Sequence, residues 1–199
     1  MDAVRVALLR DVLAGTRWPQ DARRFALALR ASVVPRGGLL LAGTEAYEPW
    51  HLAAHLSDEA AWSGQPEPAP TLVRHRVAAG DPAHLAVGLG RIAAAGRGET
   101  VLLVAPERPG EGLLERVHDA RRAGARVLTL DGGDPEVGGL AHDSLVVGGD
   151  DEVDLDTAQH LVSAAAGENG RPPAGGPRTF RDRLAGPADR LTQPPPARW

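Results

Sequence analysis

The chain has 199 residues, enough for one domain with a buried core. It contains no cysteine, which excludes disulfides and thiol chemistry, and no run of about 18 apolar residues, which excludes a helical membrane span. The net charge of −4 is unevenly placed: residues 169–199 hold six Arg against two Asp, so the remaining 168 residues carry −8, and an acidic body argues against a nucleic-acid partner.

Residues 2–14 read as a helix with Val4, Ala7, Leu8 and Val12 near one face. They show an early acid and no signal-peptide pattern, so a soluble, cytoplasmic protein is expected. Residues 15–19 break that helix, and 21–34 form a second one, with Phe25, Leu27, Leu29 and Val33 set among arginines. Residues 39–42 are an all-apolar strand leading into the loop 43–49. Pro49 suits the first turn of a helix that runs to about residue 62, where its missing donor costs nothing. A strand is expected over 71–77. Asp81-Pro82 then reads as an N-cap followed by proline, opening a helix to about residue 95.

Residues 98–130 carry the clearest signal. Val101–Val104 is a short apolar run of the kind buried on both faces of a sheet. The loop 105–112 holds two prolines and two glycines. Leu113, Leu114, Val117 and Ala120 then recur at helical spacing, Gly124 stops the helix, and 126–130 is a second strand. Strand, helix and strand at this length make a parallel βαβ unit. A short helix over 135–141, a strand over 144–147 and a helix over 154–166 follow, with Asp154 or Asp156 as its cap or first-turn acid. From residue 169 on, seven of 31 residues are Pro and four are Gly, so a flexible tail is expected.

Strands alternating with helices predict an α/β fold: a three-layer α/β/α sandwich with a five-stranded parallel sheet, doubly wound in the flavodoxin-like manner. Ligands in such sheets bind beyond the carboxyl ends of the strands, here the loops 43–49 and 105–112.

This layout resembles the sugar isomerase (SIS) domain, and within it the phosphoheptose isomerase branch, over residues 1–168. Three stretches carry the likeness: GGLLLAGTEAYEPWHLAAHL at 37–56, ETVLLVAPERPGEGLLERVHDARRAGARVLTLDG at 99–132, and LAHDSLVVGGDDEVDLDTAQHLV at 140–162. The resemblance implies a 1–168 domain with lead-in helices over 1–36, and a homodimer with those helices between subunits. It also implies a sugar or sugar phosphate held by hydroxyls and backbone amides of the two loops.

The loops depart from that pattern. Thr44 is the one hydroxyl of the expected kind in the first loop, and the second has none. Glu45, Glu48, Glu107 and Glu111 surround the place where helix N-termini would attract an anion, and Pro106 and Pro109 remove amide donors. Arg108 is the obvious phosphate partner. The family's proton-transfer Glu aligns with His55 and its last-helix His with Ala165, so no catalytic residue carries over. His51 matches a family metal-site position, and Thr157 falls on a Gln that some members use for metal.

The candidate ligand-binding residues are therefore Gly43, Thr44, Glu45, His51, His55, Arg108 and Gly110. His51 and His55, at i and i+4 on one helical face, have a spacing that can grip a metal, with His160 as a third ligand. No cofactor is assigned, and zinc is the metal these histidines would suit. Three functions stay open: a non-catalytic SIS-like domain binding a carbohydrate derivative or other small metabolite, a divergent sugar-phosphate isomerase that uses zinc, and a protein-interaction scaffold.

Overall fold

The computed structural model describes residues 3–34, 37–63, 69–149 and 151–167. The tail expected over 169–199 lies outside the described residues. The elements are α1 (Ala3–Val12), α2 (Trp18–Ser32), β1 (Leu39–Ala42), α3 (Trp50–Ser63), β2 (Pro70–Val73), α4 (Gly90–Ala93), β3 (Thr100–Ala105), α5 (Glu111–Arg122), β4 (Arg126–Asp131), α6 (Pro135–Leu140), β5 (Asp143–Val146) and α7 (Leu155–Gly167).

The five strands form one sheet in the order β2-β1-β3-β4-β5, and every pairing is parallel. Alternate residues of each strand feed two cores. Leu39, Leu41, Leu102, Val104, Leu128 and Leu130 face α2, α3 and α7, with Trp18, Phe25, Leu29, Leu52, Leu56 and Leu161 packed on them. Leu40, Ala42, Val101, Leu103 and Val127 face the other way, onto Ile92, Leu113, Val117 and Val137 of α4, α5 and α6. The three-layer expectation is met, and the sheet is apolar through its middle because both of its faces are covered.

Several boundaries differ from the sequence reading, each for a local reason. The second helix starts at Trp18 rather than 21, with Pro19 in its first turn, where a missing N–H is tolerated. Its buried stripe is Trp18, Ala22, Phe25, Ala26 and Leu29, while Leu27 is exposed. Among the described side chains at α1, Leu9 and, just beyond the helix, Leu13 pack on the core, while Leu8 and Val12 are exposed. The helix expected over 82–95 shrinks to Gly90–Ala93. Asp81 caps nothing there: its carboxylate accepts from the Ala78 amide at 2.8 Å and pairs with Arg74 at 3.1 Å. The strand expected over 71–77 ends at Val73, because Arg74 turns aside to bridge to Gly88. The last strand runs 143–146, one residue early. Asp154 does cap α7, accepting from the Thr157 amide at 2.7 Å.

Leu102 sits at the centre of β3, fully buried between β1 and β4. Leu102→Ala leaves a cavity that the strands on either side cannot close. It is expected to cost about 3 kcal/mol in urea unfolding; a loss below about 1 kcal/mol would show a core that relaxes freely.

Candidate functional site

Chain order reverses between β1 and β3: β2 lies on one side of β1, while β3, β4 and β5 lie on the other. The carboxyl ends of β1 and β3 therefore frame the crevice of a doubly wound sheet. The first loop leaves β1 at Gly43, whose Cα approaches the Tyr47 carbonyl so closely that a Cβ would sit 1.8 Å from its oxygen. Only glycine fits there. The His75 ring nitrogen Nε2 lies 3.0 Å from the Gly43 carbonyl oxygen, which ties this turn to the residues after β2.

Thr44 is buried, and its hydroxyl donates to Glu107 Oε1 across the crevice. The hydroxyl read from the sequence as a phosphate donor is thus engaged by a carboxylate. The cations at this edge are matched in the same way. Arg74 pairs with Glu48 at 3.3 Å and Asp81 at 3.1 Å, and its guanidinium lies over the Trp50 ring at 5.0 Å. Arg76 pairs with Glu45 at 2.9 Å and holds that carboxyl below its ordinary value. Arg108, read from the sequence as the phosphate partner, pairs with Glu136 of α6 at 2.6 Å.

Arg108 lines a different opening, a cleft of about 260 Å³ between the loops after β3 and β4, bounded by Ala105, Pro106, Glu107, Gly132, Gly133 and Asp134. Gly132 is required here, since a Cβ would come within 2.6 Å of the Pro106 carbonyl oxygen. Gly110 precedes α5 as its N-cap, with its carbonyl accepting from the Leu113 and Leu114 amides.

The histidines converge. His51 and His55 lie on successive turns of α3, and α7 packs alongside and adds His160. Their ring centroids stand 4.6, 4.8 and 5.0 Å apart. One nitrogen from each can be chosen so that all three lie within 4.8 Å of one another. His51 is exposed and the other two are half-buried. Both ring nitrogens of His55 are buried without a hydrogen-bond partner. Burial holds the His55 pKa below its ordinary value, and His51 and His160 push it the same way.

Tyr47 joins the first loop to α7. Its hydroxyl donates to Asp156 Oδ1 at 3.0 Å and accepts from Gln159 Nε2 at 2.7 Å, next to His160 in the chain. Burial pushes the Tyr47 phenol above its ordinary value. The sequence reading missed Gln159 because a polar residue one place from the apolar stripe of a helix carries no distinguishing signal. Ala165, at the position of the family's last-helix His, is buried in the apolar core and offers no proton.

The seven candidate residues thus occupy three neighbouring places rather than one site. Gly43, Thr44 and Glu45 belong to the crevice, Arg108 lines the β3–β4 cleft next to Gly110, and His51 and His55 join His160 between α3 and α7.

No protein-family model matches the chain, and a search of curated proteins finds no relative. Solved structures similar to it include the sugar isomerase domain of the RpiR transcription factor from Sphaerobacter thermophilus, at 12% identity and a TM-score of 0.43, covering 90% of this chain and 94% of that one. Another is a candidate sugar-binding protein of Salmonella typhimurium LT2, at 15% identity and a TM-score of 0.45, covering 81% of this chain and 46% of that one. A third is the NanR protein of Vibrio vulnificus complexed with ManNAc-6P, at 14% identity and a TM-score of 0.38, covering 84% and 64%. The chain spans about half the length of the Salmonella protein and nearly all of the RpiR domain. Likeness at this level carries no argument about this chain, and its chemistry has to come from its own residues.

The His55 shift gives a pH dependence. The unfolded chain takes up a proton near the ordinary value of 6.5, before the folded one does. The stabilisation is complete above that value and is lost as pH falls through the lower folded pKa. Urea unfolding in the presence of a chelator is expected to show stability declining below about pH 6.5, with a shallower slope in His55→Leu. Equal slopes in the two proteins would remove His55 as the cause.

Proposed function

We propose that this chain is an SIS-type domain that binds an uncharged or cationic carbohydrate derivative at the carboxyl edge of its sheet, without isomerising it. The observation that carries this reading is the hydrogen bond from the Thr44 hydroxyl to Glu107 across the crevice. It places a carboxylate where a phosphate would need a donor. The arginines around it are already paired: Arg74 with Glu48 and Asp81, Arg76 with Glu45, and Arg108 with Glu136. A dianion entering this edge would have to break those pairs and approach Glu45, Glu107 and Glu111. A sugar hydroxyl or amine can instead donate to these same carboxylates.

A second reading, a divergent isomerase of the phosphoheptose type, is favoured by the convergence of His51, His55 and His160. The donor set fits a metal, since three imidazoles suit zinc and His55 has two orphaned nitrogens. Those three residues would hold the ion, which supplies Lewis-acid polarisation of a carbonyl when bound. Against this reading, the position of the last-helix base is the buried Ala165.

The protein is further proposed to be a cytoplasmic homodimer. Leu8 and Val12 of α1 and Leu27 of α2 are 60%, 79% and 51% exposed, on the lead-in helices through which a second copy would pack. Sedimentation of the full chain is expected to give twice the monomer mass, with Val12→Asp shifting it to monomer. A monomeric wild type at tens of micromolar would end that expectation.

A thermal-shift comparison of amino sugars, neutral sugars and sugar phosphates tests the ligand class. At 100-fold over Kd a ligand adds about 2.7 kcal/mol, or roughly 5–10 °C in a domain of this size. The expected outcome is a shift with an amino or neutral sugar, reduced in Glu107→Gln, and no turnover of any ketose phosphate with or without added zinc. Stoichiometric capture of a sugar phosphate would overturn the ligand class, and turnover would favour the isomerase.

A further inference from the structure

We infer that His51, His55 and His160 form an all-nitrogen site for a late first-row divalent metal, zinc above others, that clamps α3 to α7. The ligand set is not the one the SIS resemblance implies. There a Glu occupies the position of His55 and a metal-binding Gln the position of Thr157. Thr157 lacks the side-chain amide oxygen of that Gln, and its backbone amide is bonded to the Asp154 cap. His160, three residues on, enters the cluster instead.

The site stands on geometry. Two ligands come from successive turns of one helix, so their separation is set by helical pitch. The third comes from the helix packed beside it. Nitrogens already within 4.8 Å of each other need to close to about 3.4 Å around a tetrahedral zinc with bonds of about 2.0–2.1 Å. Rotation of the exposed His51 ring and small changes in the other two supply that difference.

His55 is the independent sign of a ligand. Its two ring nitrogens are buried without hydrogen-bond partners, a condition that folded proteins rarely leave uncompensated. A metal satisfies one of them. His51, being exposed, gives the ion a way in and leaves the fourth coordination position open toward solvent. A donor set without carboxylate discriminates against magnesium, calcium and manganese and favours zinc, nickel and copper. Because the ligands belong to two helices, the bound ion cross-links them and stabilises the fold by mass action. This inference does not rest on the proposed carbohydrate ligand, and it needs no reaction.

The test uses the full-length chain, stripped with chelator and titrated with metal alone. One zinc per chain is expected, with a rise of several degrees in Tm and no rise with magnesium or manganese. Cobalt(II) substitution is expected to give the intense visible absorption of a four-coordinate, low-symmetry ion. His51→Ala, on an exposed position where folding is not at stake, should weaken zinc binding at least tenfold. His55→Ala and His160→Ala should abolish the cobalt spectrum, and His118→Ala on α5 should leave both readouts unchanged. Binding of less than about half an equivalent, equal response to manganese, or binding that survives His51→Ala and His160→Ala would overturn the site.

Discussion

β3 is the constraint on which the rest depends. All six of its residues are buried, with parallel partners on both edges and helices over both faces. A strand so enclosed cannot slip in register without turning Leu102 and Val104 into the wrong core. Its end therefore fixes where the loop at 106–110 begins. β1 is buried at every position too, and its end fixes the loop at 43–49. With both faces of the sheet covered, the carboxyl edge is where backbone groups, helix starts and polar side chains can meet a ligand. The helices α3 and α7 reach the same edge because each follows a strand that points there.

That edge is held together by contacts among its own polar groups. Thr44 and Glu107 close the crevice between the two loops. Tyr47 binds the first loop to Asp156 and Gln159 of α7. Arg74 is sandwiched among Glu48, Asp81 and the Trp50 ring.

The histidine cluster lies beside this network and obeys different physics. Burial of His55, with His51 and His160 beside it, lowers its pKa and so favours its neutral form. Neutral imidazole is also the form that binds a metal. The same packing of α3 against α7 thus sets proton affinity and places donor atoms together, without help from the loops.

Much of the fold was legible in the sequence. The apolar runs at 39–42 and 101–104 mark fully buried strands, and the spacing of Leu113, Val117 and Ala120 marks a helix face, because burial imposes those periods directly on the residues. Asp81-Pro82 misled, since the carboxylate that caps a helix in one setting answers an arginine seven residues away in another. The lead-in helices also misled, because Leu27 and Val12 are apolar without being core. Of the candidate site, residue types and neighbourhood were readable: Thr44, His51, His55 and Arg108 all lie at the carboxyl edge of the sheet. The carboxylates that meet them were not: Glu107 for Thr44 and Glu136 for Arg108 are contacts between segments 63 and 28 residues apart, whereas His160, read from the sequence as a third partner of the two histidines, does lie beside them. Local propensity records nothing of such distances; only the packing of one helix on another, and of one loop against the next, decides them.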